Sequence, residues 1–328
     1  MNSKNILITG GTGSLGKAFI EHLRISKINF KKLIIFSRDE LKQSELSKHY
    51  ELFPKFHKKL RFFIGDIRDP SRLNTAFYNV DYIIHAAALK QVPASEYNPT
   101  EFIDTNIIGA RNILDQAVKN QVKKIVALST DKACEPINLY GSTKLCSDKL
   151  FVSANQFYGN RVCSSVVRYG NVMNSRGSVL PLFLKQSKEN LFTITDPEMT
   201  RFNISIEDGV KLIIYALLNG KGGEIFVPKI PSFKVIDLAK AINNKAKFRI
   251  TGIRPGEKIS EKMISNSDAL YTYDLGRYYA ILPAGTKLIQ KYKKYKKVPT
   301  DFFYSSDANK NFLSIKELKK IIKIHNYS

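Results

Sequence analysis

The sequence predicts an α/β protein built on a doubly wound parallel sheet, with a smaller carboxy-terminal lobe beside it. Three observations carry that expectation. Short apolar runs alternate with amphipathic helical stretches through the first half of the chain, the pattern of a parallel sheet covered on both faces. The first of these runs leads directly into closely spaced glycines and then a helical pattern, GKAFIEHL. At 328 residues with ordinary apolar and charged fractions, the chain is long enough to bury a large core.

The elements follow in order. Strands are expected at Asn5 to Thr9, Lys32 to Ser37, Arg61 to Gly65, Tyr82 to Ala86 and Lys124 to Ser129, all short runs rich in β-branched, aromatic and other apolar residues. A sixth, Cys163 to Arg168, follows a helix that begins near Tyr140. After Asn171 the chain turns polar and rich in Gly and Pro, in SRGSVLP and around DPEMTRF, and is expected to leave the sheet. IEDGVKLIIYALLNG and EIFVP suit one further helix and strand on that sheet, before VIDLAKAIN and GIRPGEK resume outside it. The expected division is a sheet domain over residues 1–172, rejoined by about 204–230, and a smaller lobe from 173–203 and 231–328.

No apolar run reaches the length that spans a bilayer, and the opening MNSKNILITG lacks the order of a signal peptide, so a cytoplasmic location without a membrane partner is expected. Three cysteines, Cys134, Cys146 and Cys163, are too few and too irregularly spaced for a disulfide framework or a zinc site, and no metal is expected. Cys134 is either an oxidation-sensitive thiol or a buried small hydrophobe. The formal charge of +23 suits nucleic acid, an anionic surface or a phosphorylated small substrate. KYKKYKK, residues 291–297, interleaves tyrosine with lysine as a single-strand-binding segment does, but a surface loop or helix end is the favoured reading. No nucleic-acid partner is expected.

In the loop Thr9 to Gly16, Gly10, Gly13 and Gly16 stand at three-residue steps among Thr12, Ser14 and Leu15. Missing side chains let backbone approach a pyrophosphate whose charge faces the helix amino terminus, so a dinucleotide site is expected there. At the end of the second strand, Ser37, Arg38 and Lys42 offer a hydroxyl and two cations, which favour the ribose phosphate of NADP over NAD although Asp39 is adjacent. Asp66, with Ile67 beside it, follows the third strand, where a carboxylate either accepts from the adenine amino group or ends a turn. Ala86 and Ala87 give small side chains where the cofactor lies against backbone.

Tyr140 and Lys144 lie four residues apart, on one helical face. A tyrosinate base at neutral pH needs a neighbouring cation, and a shift of about three units corresponds to roughly 4 kcal/mol of differential stabilisation. Lys144 is the expected source. Upstream, Ser129 or Thr130 ends the fifth strand, followed by Asp131 and Lys132.

The glycine loop, the strand-end Ser/Thr and Tyr140-x-x-x-Lys144 together resemble the extended short-chain dehydrogenase/reductase family, with its Rossmann fold. Thr130-Asp131-Lys132 followed by PINLYGSTKLCSDKLF narrows the resemblance to the UDP-N-acetylglucosamine 4,6-dehydratases that invert carbon 5 and open the pseudaminic acid pathway. The likeness runs from ILITGGTGSLGK through HAAALKQVP, VRYGNVMNSRGSV and GIRPGEK to FYSSDANKNFLS. It implies a hydro-lyase acting on UDP-N-acetylglucosamine, with Tyr140 and NADP oxidising carbon 4. Lys132, if neutral, then removes the carbon 5 proton while Asp131, if protonated, protonates the departing carbon 6 hydroxyl. It also implies a homo-oligomer, with Lys90, Asn171 and Glu257 facing the substrate. The diphosphate of a nucleotide sugar needs cations, and Arg176, Arg201 and Arg254 lie in the segments assigned to the outer lobe, with Arg254 as the main clamp and Thr200, beside Arg201, as a further substrate contact. Gln91, Cys134 and Ser260 depart from the family pattern without removing a proposed catalytic group. A UDP-sugar 4-epimerase or reductase on the same fold, which would need no acid and base at Asp131 and Lys132, is the alternative. A nucleic-acid-binding protein on a degenerate cofactor fold is the alternative of another class.

Overall fold

The computed structural model describes Met1, residues 3–173 and residues 178–325. Six strands, β1 (Asn5–Thr9), β2 (Lys32–Ser37), β3 (Leu60–Ile64), β4 (Tyr82–His85), β5 (Lys124–Thr130) and β6 (Cys163–Tyr169), lie parallel in the order β3-β2-β1-β4-β5-β6. Ile6, Leu7, Ile8, Ile83, Ile84, Ile125, Val166 and Val167 are fully buried, because helices cover both faces and leave no polar side for the strands to show. β1 lies between β2 and β4, in registers Leu7 to Ile34 and Leu7 to Ile83, and the strand order reverses there. The crevice beyond the carboxyl ends of β1 and β4 is where folds of this kind bind ligands.

Strand Ile225–Pro228 adds to β6 in parallel after helix Ile206–Asn219, whose start is capped by the Ser205 side chain. The sheet then continues where the sequence places an outer lobe. Tyr278–Ile281 pairs antiparallel with Ile225–Pro228, Thr272–Asp274 pairs with Tyr278–Ile281, and Lys296–Lys297 closes the edge, giving ten strands. The reason is burial: every residue of Ile225–Pro228 is inside, so its far edge needs a backbone partner rather than water.

A second apolar core lies outside the sheet. Leu180, Phe183, Phe192, Ile194, Phe233 and Leu238 meet Leu318 of the last helix, Ile315–His325. Within KYKKYKK, Tyr292 is buried and donates to Glu224 at 2.8 Å, and Tyr295 packs on it with ring centroids 5.8 Å apart. Those faces are spent on packing, which removes the stacking surface a single-strand-binding segment needs. Among the described residues no helix is long and apolar enough to cross a membrane.

Candidate active site

One cleft of about 1670 Å³ runs from the glycine loop to the loop that carries Arg254. Its volume exceeds that of ordinary small-molecule pockets, leaving room for two nucleotide-sized ligands. At the first end, Gly10 has φ +66°, and a Cβ there would lie 2.8 Å from the Ala87 nitrogen. The loop therefore sits flush on Ala86 and Ala87. Helix α1 (Ser14–Ile25) starts from Gly13 without a side-chain cap, which leaves its first N–H groups to a ligand. Thr12, Ser14, Leu15, Gly16 and Ile67 line the same wall, and this bare, positively polarised cradle fits a dinucleotide pyrophosphate.

The end of β2 is built by α2 (Glu40–Glu51). Gln43 is buried and donates to the Ser37 carbonyl, the Ser37 hydroxyl and the Phe63 carbonyl at 3.0, 2.9 and 3.1 Å, fixing β2 to β3. Asp39 caps α2 through the Lys42 N–H at 3.0 Å and pairs with the Lys42 ammonium. Arg38 lies 3.7 Å from Asp66, which also holds Arg68 at 2.8 Å. Partial burial resists ionisation of Asp66, but the Arg68 and Arg38 guanidinium groups outweigh it and hold its carboxyl below the usual range. Both cations that the sequence assigned to a ribose phosphate are thus already matched by carboxylates.

At the reacting end, Asn138 caps helix Leu139–Phe157: its oxygen accepts from the Gly141 N–H at 2.8 Å and its amide donates to the Gly256 carbonyl at 2.7 Å. The cap ties the Tyr140 helix to the loop of Arg254. A Cβ on Gly141 would lie 2.3 Å from the Lys132 carbonyl oxygen, so glycine is what lets this helix press on the Asp131–Ala133 turn. Burial pushes the Tyr140 phenol up to about 12, opposed first by the Lys132 charge and then by Thr130. Lys144 is buried, and its own pKa is lowered by that burial, with Asp148 opposing. The strongest cationic pull on Tyr140 comes from Lys132 rather than from Lys144.

Asp131 is 0% exposed. Its Oδ1 accepts from the Thr130 hydroxyl at 2.9 Å and from Lys132 Nζ at 3.1 Å, while Oδ2 is buried with no partner. Lys132 Nζ also lies 3.0 Å from Glu261 Oε1. Burial lowers the Lys132 pKa, but the Asp131 and Glu261 charges overcome it, so the net shift is upward and the group is an ammonium. The neutral amine on which removal of the carbon 5 proton depends is therefore not the form favoured in this state.

Lys90, Asn171, Arg201, Arg254 and Glu257 all line the cleft. Asn171 carries a buried side-chain oxygen with no partner, as a ligand-binding amide would. Arg254 is pre-set by a bidentate pair with Glu257 at 2.7 and 3.0 Å. Arg201 is buried and donates to the Thr200 and Ile259 carbonyls at 2.7 and 3.0 Å, with its Nε 3.9 Å from Glu261 Oε1. Thr200 is not in the lining: it is buried, and its hydroxyl pairs with that of Ser306 at 2.7 Å. Arg176 lies outside the described residues. Cys134 is buried, and burial pushes its thiol up to about 12, so it is a packed thiol and not a reactive thiolate. Glu261, Asn138 and Gly141 were missed from sequence. Of these, only the Asn-x-x-Gly spacing before the helix carried a signal.

Comparison with known proteins bears on this geometry. A family model described as polysaccharide biosynthesis protein matches residues 6–283. UDP-N-acetylglucosamine 4,6-dehydratase (inverting) of Campylobacter jejuni is 51% identical over 98% of both chains. UDP-glucose 4-epimerase of Rickettsia canadensis is 43% identical over 99% of this chain and 96% of its own. The X-ray structure of Pen from Bacillus thuringiensis superposes with a TM-score of 0.90 at 36% identity, covering 100% of this chain and 99% of its own. Fold, cleft and relatives together define a UDP-sugar dehydratase or epimerase type of enzyme. The chain belongs to the polysaccharide biosynthesis protein family and is a homologue of the inverting UDP-N-acetylglucosamine 4,6-dehydratases.

The expectation of NADP is corrected. DesIV, a dTDP-glucose 4,6-dehydratase from Streptomyces venezuelae, has this fold (TM-score 0.67, 23% identity, 78% of this chain and 86% of its own) and holds NAD. A dTDP-glucose 4,6-dehydratase from Bacillus anthracis likewise holds NAD. The physical reason the sequence misled lies in the Arg38–Asp66 and Lys42–Asp39 pairs, which neutralise the cations read as phosphate ligands.

Proposed function

We propose that the chain is a UDP-N-acetylglucosamine 4,6-dehydratase that inverts carbon 5, uses NAD and opens a route of the pseudaminic acid type. The observation that carries this reading is the pair of buried Asp131 and half-buried Lys132, 3.1 Å apart, in the same cleft as Tyr140. When bound, a nicotinamide dinucleotide would supply reversible two-electron oxidation at carbon 4 and, in its oxidised form, a positive charge in the cleft. Gly10, Gly13, Ser14, Ala86 and Ala87 would hold it.

Tyr140 takes the carbon 4 hydroxyl proton, and the resulting ketone acidifies the proton on carbon 5. Elimination then needs a neutral amine and a protonated carboxyl. Moving one proton from the Lys132 ammonium to Asp131 turns the observed ion pair into that combination with no change in proton count. Exclusion of water by substrate favours the shift, since desolvation penalises the two charges. Lys132 then receives the carbon 5 proton, and Asp131 gives its own to the leaving carbon 6 hydroxyl. Arg254, oriented by Glu257, binds the diphosphate, with Lys90 and Asn171 on the sugar.

Incubation with UDP-N-acetylglucosamine in heavy water tests this. The expected product has lost one water and carries deuterium at carbon 5 in the inverted configuration by mass and NMR; retained configuration overturns the assignment. The cofactor released on denaturation is expected to have the mass of NAD, and the 2′-phosphorylated form would reverse that part. Because the Rickettsia relatives are UDP-glucose 4-epimerases, epimerisation is the second reading. It predicts that Lys132→Ala leaves product formation intact, whereas dehydration does not survive the change. Self-association, implied by the family resemblance, is read by light scattering.

A further inference from the structure

Glu261 is far along the chain from the Asp131–Ala133 turn that carries the acid–base pair, yet it is 2% exposed and its Oε1 stands 3.0 Å from Lys132 Nζ. Backbone bonds clamp its position: its N–H donates to the Ser306 hydroxyl at 2.9 Å, and its carbonyl accepts from the Ser306 N–H at 2.8 Å. Arg201 Nε lies 3.9 Å from Oε1, and Oε2 is buried with no partner. A buried carboxylate with an unpartnered oxygen is costly, and the shorter of its two cation contacts is the one to Lys132, 3.0 Å against 3.9 Å for Arg201. Lys132 is therefore held between two carboxylates, with Tyr140, Lys90 and Arg201 as the other titratable or charged groups acting around it.

We propose that Glu261 is a positioning residue for carbon 5 proton transfer, one that aims Lys132 Nζ and stabilises the ammonium the transfer creates. The inference rests on the dehydratase reading above. In the elimination the C5–H bond breaks and its electron pair forms the C5–C6 double bond. The proton bonds to Lys132 Nζ, the C6–O bond breaks, and the hydroxyl leaves as water with the proton of Asp131. The centre begins with one proton, on Asp131, which departs with the water, and ends with one, taken from carbon 5, on Lys132 between two carboxylates. Lys132 Nζ stands between those two carboxylates in the structure, 3.1 Å from Asp131 and 3.0 Å from Glu261. Charge thus develops on Nζ as the reaction proceeds, and a fixed carboxylate at 3.0 Å lowers the barrier to this step and leaves carbon 4 oxidation untouched.

Glu261→Gln keeps size and removes the charge. Loss of one charge-assisted partner slows water loss by on the order of ten- to a hundredfold. Quenched reactions trapped with borodeuteride are then expected to contain sugar with deuterium at carbon 4 and the carbon 6 hydroxyl still present. Glu261→Asp should recover part of the rate. A merely structural role would depress carbon 4 oxidation and water loss together, and that outcome, or a wild-type rate of water loss, overturns the inference. If Glu261→Gln does not fold, Glu261→Asp against wild type carries the same comparison: slower water loss at unchanged carbon 4 oxidation is expected, and equal rates overturn it. Failure of the dehydratase reading looks different, since wild-type protein would then lose no water at all.

Discussion

Replacing Lys132 by Met removes an ammonium from between two carboxylates while keeping chain length and packing. Asp131 and Glu261 are 0% and 2% exposed, and the only other cation near either in an ion pair among the described residues is Arg201, 3.9 Å from Glu261. Stripping one partner from a buried ion pair costs about 3–5 kcal/mol, and the 23% exposure of the Lys132 side chain places this case near the lower limit, about 3 kcal/mol. The pH dependence has a definite sign. The folded-state pKa of Lys132 is raised, so its contribution is complete below the ordinary lysine value of 10.5 and is lost as pH rises through the higher folded value. The deficit of the variant should therefore be full at neutral pH and shrink as pH rises above 10.5. Urea denaturation of both proteins at neutral pH and above pH 10.5 measures this. A variant as stable as wild type at neutral pH, or one whose deficit does not shrink above pH 10.5, would refute the reasoning.

Gly141→Ala puts a Cβ 2.3 Å from the Lys132 carbonyl oxygen and must push the Tyr140 helix off the Asp131–Ala133 turn. Turnover should fall at least about tenfold with retention of the nicotinamide cofactor unchanged, as judged by cofactor mass and stopped assays. Arg254→Ala should raise KM for the nucleotide sugar by about tenfold or more and change kcat less, because a charged diphosphate contact is lost away from the reacting carbons. An unchanged KM would remove Arg254 from the binding site. In native protein a maleimide should label exposed Cys146 and spare Cys134, with peptide mass mapping as the readout.

The parallel sheet was legible because central strands buried on both faces read as unbroken apolar runs, NILIT and KLIIF among them. The strands at residues 272–281 were not, since TYD and YYAI are too short to declare which sheet they join, and only the need of buried Ile225–Pro228 for a backbone partner on its far side decides it. Tyr140 and Lys144 were found through helical spacing. Glu261 has no such relation to Lys132, because the two meet only through tertiary folding, with strand Lys262–Ile264 paired to Tyr304–Ser305 next to it. Cofactor choice failed for a similar reason: residue types at the end of β2 were visible, but the carboxylates that answer Arg38 and Lys42 were not.

The strand Lys296–Lys297 has a consequence for the chain among its own copies. It is the last rung of a ten-stranded sheet, and both residues are exposed. A sheet of that width ending in a bare apolar strand would invite another molecule's strand to add on, and so on into an aggregate. Two lysines at the rim make each such addition a meeting of like charges. Part of the +23 formal charge therefore serves as a stop to edgewise growth, which recognition of any ligand would not require.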